Sequence, residues 1–183
     1  IIARSGWSGM SGYEIYLRDG TKGNILWKIF MDSGQEFKIA PAAPSQINRI
    51  ECGMLSYGSD ITLNENPFDI SMDKFVDLDK KAEFLSRDSL TLIKKQVNNK
   101  ELVGVEIMKK TSDEFIGDHL PVYDNNKIVG KITSSVYSPR LKKNIGLALL
   151  DRNRNLNSTN LYLVYNDRSI EIKISKLPFL RNK

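Results

Sequence analysis

Residues 161–174, LYLVYNDRSIEIKI, contain the pattern that decides the fold of the second half of this chain. Large apolar or aromatic residues recur at every second position on both sides of a polar pair: Leu161, Leu163 and Tyr165 before it, and Ile170, Ile172 and Ile174 after it. A period of two is that of a half-buried β-strand. Asn166-Asp167 between them is typical of a tight turn. The stretch therefore predicts a β-hairpin.

The same pattern extends upstream from this hairpin. Val103, Val105 and Ile107 alternate with other residues. Asp124-Asn125-Asn126 predicts a turn between the apolar pairs at 122–123 and 128–129. Short strands at this spacing indicate a small barrel or a sandwich. The alternation begins after Asn98-Asn99-Lys100, so we expect two domains, 1–98 and 99–183.

The first half of the chain shows helical spacing instead. Residues 22–33 predict a helix with one apolar face, which holds Ile25, Leu26, Ile29 and Phe30 and which we expect to be buried. Ile47, Ile50 and Met54 recur at helical spacing after two prolines. A third helix is expected near Ser86, whose side chain would cap it, with Leu90, Ile93 and Val97 buried. The fold class expected for the whole chain is α+β.

Composition sets broad limits on function. A chain of 183 residues with 40% hydrophobic and 27% charged residues is typical of a globular protein with a sizeable core. The single cysteine, Cys52, excludes an internal disulfide and a cysteine-based zinc cluster, and fits a reducing, cytoplasmic location. We expect Cys52 to be buried. The single histidine, His119, excludes a histidine-based metal site and is expected on the surface. Apolar runs are far too short for a membrane-spanning helix.

Charge is distributed unevenly between the two halves. Residues 1–90 hold 10 basic against 13 acidic residues, a net charge of −3, whereas residues 91–183 hold 17 against 9, a net charge of +8. A basic half could bind nucleic acid. The basic residues, however, alternate with apolar ones, as on the solvent face of a sheet. We therefore do not expect a nucleic-acid partner and favour an anionic small molecule.

The stretch RSGWSGMSGYEIY, residues 4–16, is the strongest candidate for a binding site. Its glycines allow sharp bends and close approach of the backbone to another group. Glu14 is a lone carboxylate in an aromatic strand, and burying it requires hydrogen-bond donors. Two interpretations are open: a ligand clamp with an aromatic wall of Trp7, Tyr13 and Tyr16, or an edge strand with Glu14 in solvent. For Trp7 and Tyr16 the alternative to a wall is packing in the core.

This stretch resembles a motif of the tetrahydrofolate-dependent glycine-cleavage T-protein family. Three further stretches resemble later motifs of that family, in the family's order: 49–51 with 57–60, 130–134 with 138–144, and 175–179. The resemblance implies a partial folate-binding α+β domain followed by a C-terminal β-barrel. Residues 138–144 would lie near the interface between the two, although a structural turn before a buried strand is an equal alternative.

The resemblance also implies that the chain is the C-terminal part of a longer protein. Members of the family are roughly twice as long, and this sequence begins at Ile1 without an initiator methionine. The catalytic aspartate and part of the folate pocket would lie upstream, so no catalytic residue is assigned here. The expected partners are then the upstream half of the same protein, tetrahydrofolate and a small methylated substrate. A targeting segment removed from the upstream part stays open.

By position, Glu14 falls on the family's glutamate that hydrogen-bonds the pterin of tetrahydrofolate. A carboxylate is the matching acceptor for the paired N–H donors of a pterin. Tyr16 is assigned to the cofactor as well. Ser45, in contrast, stands where the family's glycine-cleavage members carry a folate-binding arginine.

The Trp in Ser5-Gly6-Trp7 and the absence of that arginine resemble the dimethylsulfoniopropionate demethylase branch of the family. Trp7, Tyr16 and Ser56 would then contact the substrate. Aromatic faces stabilise a sulfonium cation by about 0.5–2 kcal/mol each. The function implied is transfer of a methyl group from a small sulfonium or amine to tetrahydrofolate. The alternatives are a glycine-cleavage aminomethyltransferase and a non-catalytic folate-binding relative in iron–sulfur assembly or tRNA modification.

Overall fold

The computed structural model describes residues 1–96, 100–108, 117–152 and 160–180. Two short strands, β1 (Ile2–Ala3) and β2 (Glu14–Ile15), form an antiparallel ribbon at the start of the chain. Three helices follow, α1 (Gly23–Ser33), α2 (Gln46–Glu51) and α3 (Arg87–Lys95). No helix in these described ranges combines the length and the apolar character needed to cross a membrane.

Six antiparallel strands close into a barrel after α3. They are β3 (Lys100–Ile107), β4 (Pro121–Asp124), β5 (Lys127–Ser138), β6 (Lys143–Asp151), β7 (Leu161–Tyr165) and β8 (Arg168–Ser175). Their order around the barrel is β3-β6-β5-β4-β7-β8. Closure removes the unpaired edges that an open sheet would expose. The α+β class and the barrel are confirmed.

The predicted hairpin turns are confirmed, and their backbone explains the sequence. Asn125-Asn126 joins β4 to β5, and Asn166-Asp167 joins β7 to β8. All four residues have positive φ, between 48° and 66°. Asn and Asp tolerate this left-handed conformation better than other non-glycine residues, and two such residues in succession match the twist of the strands.

Two apolar clusters hold the barrel together. The interior cluster includes Val105, Ile132 and Leu163. The second cluster lies outside the barrel wall, where Ile50 of α2 packs with Ile145 and Leu147 of β6. Strand β6 is therefore buried on both faces, because Ala148 and Leu150 belong to the interior cluster. This double burial attaches α2 to the barrel.

Several local predictions for the helices were wrong. Ile25, Ile29 and Phe30 on the apolar face of α1 are exposed and Leu26 is half-buried, since α1 packs mainly against the short turns at its own ends. Ser86 precedes α3 with φ of 70°, and its side chain does not cap the helix, because a cap residue needs an extended backbone to reach the first N–H groups. Leu90 and Ile93 are half-buried, and Val97 lies outside the described residues.

Other local predictions also changed. Helix α2 ends at Glu51, so Met54 lies beyond it, and Cys52 is half-buried instead of buried. His119 is exposed, as expected. The expected domain boundary at residues 98–99 lies outside the described residues.

Candidate functional site

Glu14 lies on the exposed ribbon formed by β1 and β2. Its Cα pairs with that of Ala3, and the backbone N–H of Tyr16 donates to the carbonyl of Ile1 at 2.8 Å. The Ser5 hydroxyl donates to Oε2 of Glu14. A carboxylate offers about four lone-pair positions, so one hydroxyl donor leaves capacity for a ligand with paired N–H groups. Glu14 is thus an exposed acceptor on a backbone fixed by strand pairing.

Tyr16 follows Glu14 directly and is 55% exposed. Tyr13, on the other side of Glu14, is 69% exposed. A carboxylate flanked by exposed aromatic rings is the chemistry of a site for a flat ring with donor groups.

Trp7 lies against the segment that follows α2. Its indole Nε1 donates to the carbonyl of Leu55 at 3.1 Å. The guanidinium carbon of Arg49 lies 5.2 Å from the centre of its ring. Trp7 is half-buried and belongs to neither apolar cluster. Its orientation is therefore fixed by polar contacts with α2 and the loop that follows.

Ser56 is the residue next to the acceptor of Trp7. Its backbone N–H donates to Oδ2 of Asp60 at 2.9 Å, and its side chain is half-buried. The structure thus brings Trp7 and Ser56 to one place. Glu14 and Tyr16 lie on the ribbon, where Glu14 accepts its hydrogen bond from Ser5, two residues before Trp7. The glycine-rich loop 8–12 follows Trp7 and leads back to the strand of Glu14.

A buried ion pair supports the Trp7 side of the site. Nη1 of Arg49 lies 2.7 Å from Oδ2 of Asp60, and the two side chains are 2% and 0% exposed. Arg49 also donates to Oε1 of Gln46 at 2.6 Å, to the carbonyl of Met54 at 3.0 Å and to Oγ of Ser134 at 2.8 Å. A buried pair is tolerated when its remaining donors and acceptors are satisfied.

An irregularity in β5 completes this network. The register between β5 and β6 shifts between Ile132 and Ser134. Thr133 and Ser134 then both donate to Oδ1 of Asp60, at 2.6 and 2.7 Å. In a regular strand consecutive side chains point to opposite faces, so the bulge is what lets both hydroxyls reach one carboxylate.

A second buried carboxylate joins α2 to the turn between β5 and β6. Glu51 is fully buried, and it accepts hydrogen bonds from Oγ of Ser138 and from Nη2 of Arg140. Nη2 of Arg140 also donates to Oδ1 of Asn48 at 2.7 Å. Residues 138–144 therefore form both a turn and a contact with α2, so the two interpretations of this motif are compatible.

Ser45 acts as the N-cap of α2. Its hydroxyl accepts a hydrogen bond from the backbone N–H of Asn48 at 3.2 Å. A serine at this position stabilises the start of a helix and contributes no positive charge. Ser45 therefore has a structural role at the start of α2 and does not supply the positive charge that an arginine at this position would.

Two family models match the chain, one on each side of its middle. The model described as the GCVT N-terminal domain matches residues 1–80, and that of the glycine cleavage T-protein C-terminal barrel domain matches residues 100–180. The chain belongs to the glycine-cleavage T-protein family.

Curated relatives agree with this assignment, and a solved structure shares the fold. Aminomethyltransferase of Bacillus subtilis is 30% identical over 184 residues, which cover 99% of this chain and 49% of that protein. Dimethylsulfoniopropionate demethylase of Ruegeria pomeroyi is 27% identical over 152 residues, which cover 83% of this chain and 41% of that protein. The crystal structure of glycine cleavage system aminomethyltransferase T from Bartonella henselae superposes with a TM-score of 0.80 and 22% identity, over 98% of this chain and 49% of that one.

This chain of the T-protein family spans about half the length of the curated relatives that it matches.

The sequence alone does not predict the network around Arg49 and Asp60. Its signal was present, because Arg49, Asp60 and Ser134 all lie in the stretches that resemble family motifs. A charged residue within an apolar helical pattern was the further indication that a partner had to be buried with it.

Proposed function

We propose that this chain is the C-terminal part of a tetrahydrofolate-dependent one-carbon transferase that moves a methyl group from a small methylated sulfonium to the cofactor. The observation that carries the proposal is the exposed acceptor Glu14 on its fixed ribbon, flanked by Tyr13 and Tyr16. Family membership supports it. In the complete protein, the upstream half would close the other side of the site.

Each site residue has a definite part in this proposal. Glu14 would accept the paired N–H groups of the pterin, and Tyr16 would contact both the cofactor and the donor. Trp7 and Ser56 would face the donor, and aromatic faces suit a sulfonium because the cation is stabilised without a counter-ion. The cofactor supplies the nucleophilic nitrogen when bound. The residues of this chain bind and orient the two reactants.

A second candidate, aminomethyl transfer in glycine cleavage, has its own support. Several of the curated relatives are named aminomethyltransferase, including those of Bacillus subtilis and Symbiobacterium thermophilum. Ser45 favours the sulfonium proposal, since this helix-capping serine supplies no cation where glycine-cleavage members carry an arginine. The two candidates predict different products, a methylated and a methylene-bridged tetrahydrofolate.

The test is calorimetric titration of tetrahydrofolate into the full-length protein and its Glu14→Gln variant. Loss of one charge-assisted acceptor should weaken binding by roughly 1.5–3 kcal/mol. Glu36→Gln is the matched control, because Glu36 is also exposed but lies beyond α1. Equal affinity of wild type and Glu14→Gln would show that Glu14 is a solvent-exposed edge residue. Product analysis with sulfonium and aminomethyl donors then separates the two candidates.

A further inference from the structure

One face of the Trp7 indole is covered by a positive charge. The guanidinium carbon of Arg49 lies over the ring, 5.2 Å from its centre. Arg49 is 2% exposed, whereas Trp7 is half-buried. The ring face beneath the guanidinium is therefore shielded from solvent, and the accessible part of Trp7 lies on its other face and its edge. We call this other face the open face of Trp7.

Arg49 is not available to bind a donor directly, because each of its side-chain nitrogens is already engaged. Nε donates to Gln46, Nη1 donates to Asp60 and to the carbonyl of Met54, and Nη2 donates to Ser134. A donor on the open face of Trp7 would feel Arg49 through its charge and not through a hydrogen bond.

The charge of Arg49 opposes a second cation on the open face unless it is neutralised. Cations on opposite faces of one ring would lie about 10 Å apart, and two bare like charges at that distance, with an effective dielectric constant of about 20, weaken binding by a factor of roughly fifteen. Asp60 removes most of this repulsion. Its Oδ2 lies 2.7 Å from Nη1 of Arg49, and its side chain is fully buried, so the two charges largely cancel at the distance of a donor.

We propose that Asp60 is a specificity-determining residue, because by neutralising Arg49 it allows the open face of Trp7 to prefer a cationic donor over an uncharged one of the same shape. The proposal rests on the proposed function, in which Trp7 faces a sulfonium. It adds that this preference follows the charge balance around Arg49. If the network only held Trp7 in place, disturbing it could lower the preference but not raise it.

The test is calorimetric titration of the full-length protein with two probes, in the absence of tetrahydrofolate so that no transfer occurs. The probes are dimethylsulfoniopropionate and isocaproate, its isostere in which a CH group replaces the sulfonium. The quantity measured is the ratio of their dissociation constants, which is the cation preference. Wild type should bind the sulfonium more tightly, because an aromatic face attracts a cation and not an uncharged group.

Two substitutions shift the charge balance in opposite directions. Asp60→Asn leaves Arg49 uncompensated and should lower the cation preference by about tenfold. Gln46→Glu adds a carboxylate at the atom that accepts from Nε of Arg49 at 2.6 Å. It should raise the preference by about two- to threefold, a smaller change because Gln46 is exposed and its charge is screened. A glutamate in the first turn of α2 is also compatible with the helix.

Gln35→Glu is the matched control, since it adds the same charge at an exposed glutamine beyond α1 and should leave the preference unchanged. An unchanged preference in Gln46→Glu would overturn the proposal, and this result decides the matter even if Asp60→Asn does not fold. A folded Asp60→Asn with the wild-type preference, or an equal rise in Gln35→Glu, would overturn it too. A preference that follows the charge on Arg49 in a protein that transfers no methyl group would overturn the proposed function and leave this inference in place.

Discussion

Arg49 connects three parts of the chain that are far apart in sequence. Its guanidinium pairs with Asp60, donates to Ser134 of β5 and lies over the ring of Trp7. Because Asp60 accepts from four groups, the position of Arg49 is tightly determined. The orientation of Trp7 therefore depends on a network rooted in the barrel.

Asp60→Asn should destabilise the protein strongly. The substitution keeps the shape of the side chain but leaves the Arg49 guanidinium buried without its counter-charge, and breaking a buried pair costs about 3–5 kcal/mol. Asp79→Asn is the control, because Asp79 is exposed and should change the free energy of unfolding by less than about 0.5 kcal/mol. Urea denaturation measures both. Similar small effects of the two substitutions would show that the pair does not hold the network together.

Trp7→Ala in the full-length protein should raise the KM for the methyl donor or lower kcat. Thermal stability should fall less than for a core tryptophan, whose truncation costs about 3–5 kcal/mol, since Trp7 is half-buried. Trp7→Phe keeps an aromatic face but loses the hydrogen bond to Leu55. Its donor kinetics should therefore lie between those of wild type and those of Trp7→Ala. A large drop in melting temperature with unchanged donor kinetics would place Trp7 in a structural role.

At the scale of elements, Gly130 at the start of the long strand β5 has a backbone that other residues avoid. Its φ is 150°, and a Cβ built on it would lie 2.3 Å from the carbonyl oxygen of Leu149. A contact this close with backbone forces the two strands apart. The glycine is therefore required by the approach of β6.

Gly130→Ala should destabilise the barrel by about 1–3 kcal/mol, the usual cost of overpacking. Gly20→Ala is the matched control, because a Cβ there would meet nothing within 4 Å and its φ is not positive. Urea unfolding of the two variants against wild type measures the difference. If Gly130→Ala were as stable as Gly20→Ala, β5 and β6 would have to adapt without loss of pairing.

The sequence was sufficient for the hairpins β4–β5 and β7–β8, because each carries a local turn signal between alternating strands. Asn125-Asn126 and Asn166-Asp167 adopt the left-handed turns that their side chains favour. The bulge at Thr133 was not predicted, since it arises from the register of pairing with β6, which the residue pattern of β5 alone does not reveal. The exposure of α1 was missed for a similar reason: helical periodicity identifies an apolar face but not the element that covers it.

The part of the candidate site that lies in one continuous stretch was predictable from the sequence, whereas the part built by long-range contacts was not. The stretch 4–16 pointed to Glu14, Trp7 and Tyr16, because a carboxylate and aromatic rings among glycines are unusual in themselves. The burial of Arg49 with Asp60 depends on residues more than 70 positions apart, such as Thr133. Such long-range contacts leave little trace in local patterns.

At the scale of the whole molecule, we propose that the site is shared between this chain and an upstream half. Glu14 and Tyr16 are exposed here, at the ribbon formed by β1 and β2. An upstream half that covers the ribbon would exclude water from the reacting groups. The 183-residue chain alone should therefore be inactive with tetrahydrofolate and any methyl donor.

The most direct measurement is isotope tracing with the full-length protein, tetrahydrofolate and a small sulfonium carrying a ¹³C-labelled methyl group. Nuclear magnetic resonance should show the label leaving the sulfonium and appearing on N5 of tetrahydrofolate, and the 183-residue chain under the same conditions should transfer none. Label that stays on the sulfonium while the full-length protein binds tetrahydrofolate would contradict the proposed methyl transfer. Turnover by the 183-residue chain alone would contradict the shared site.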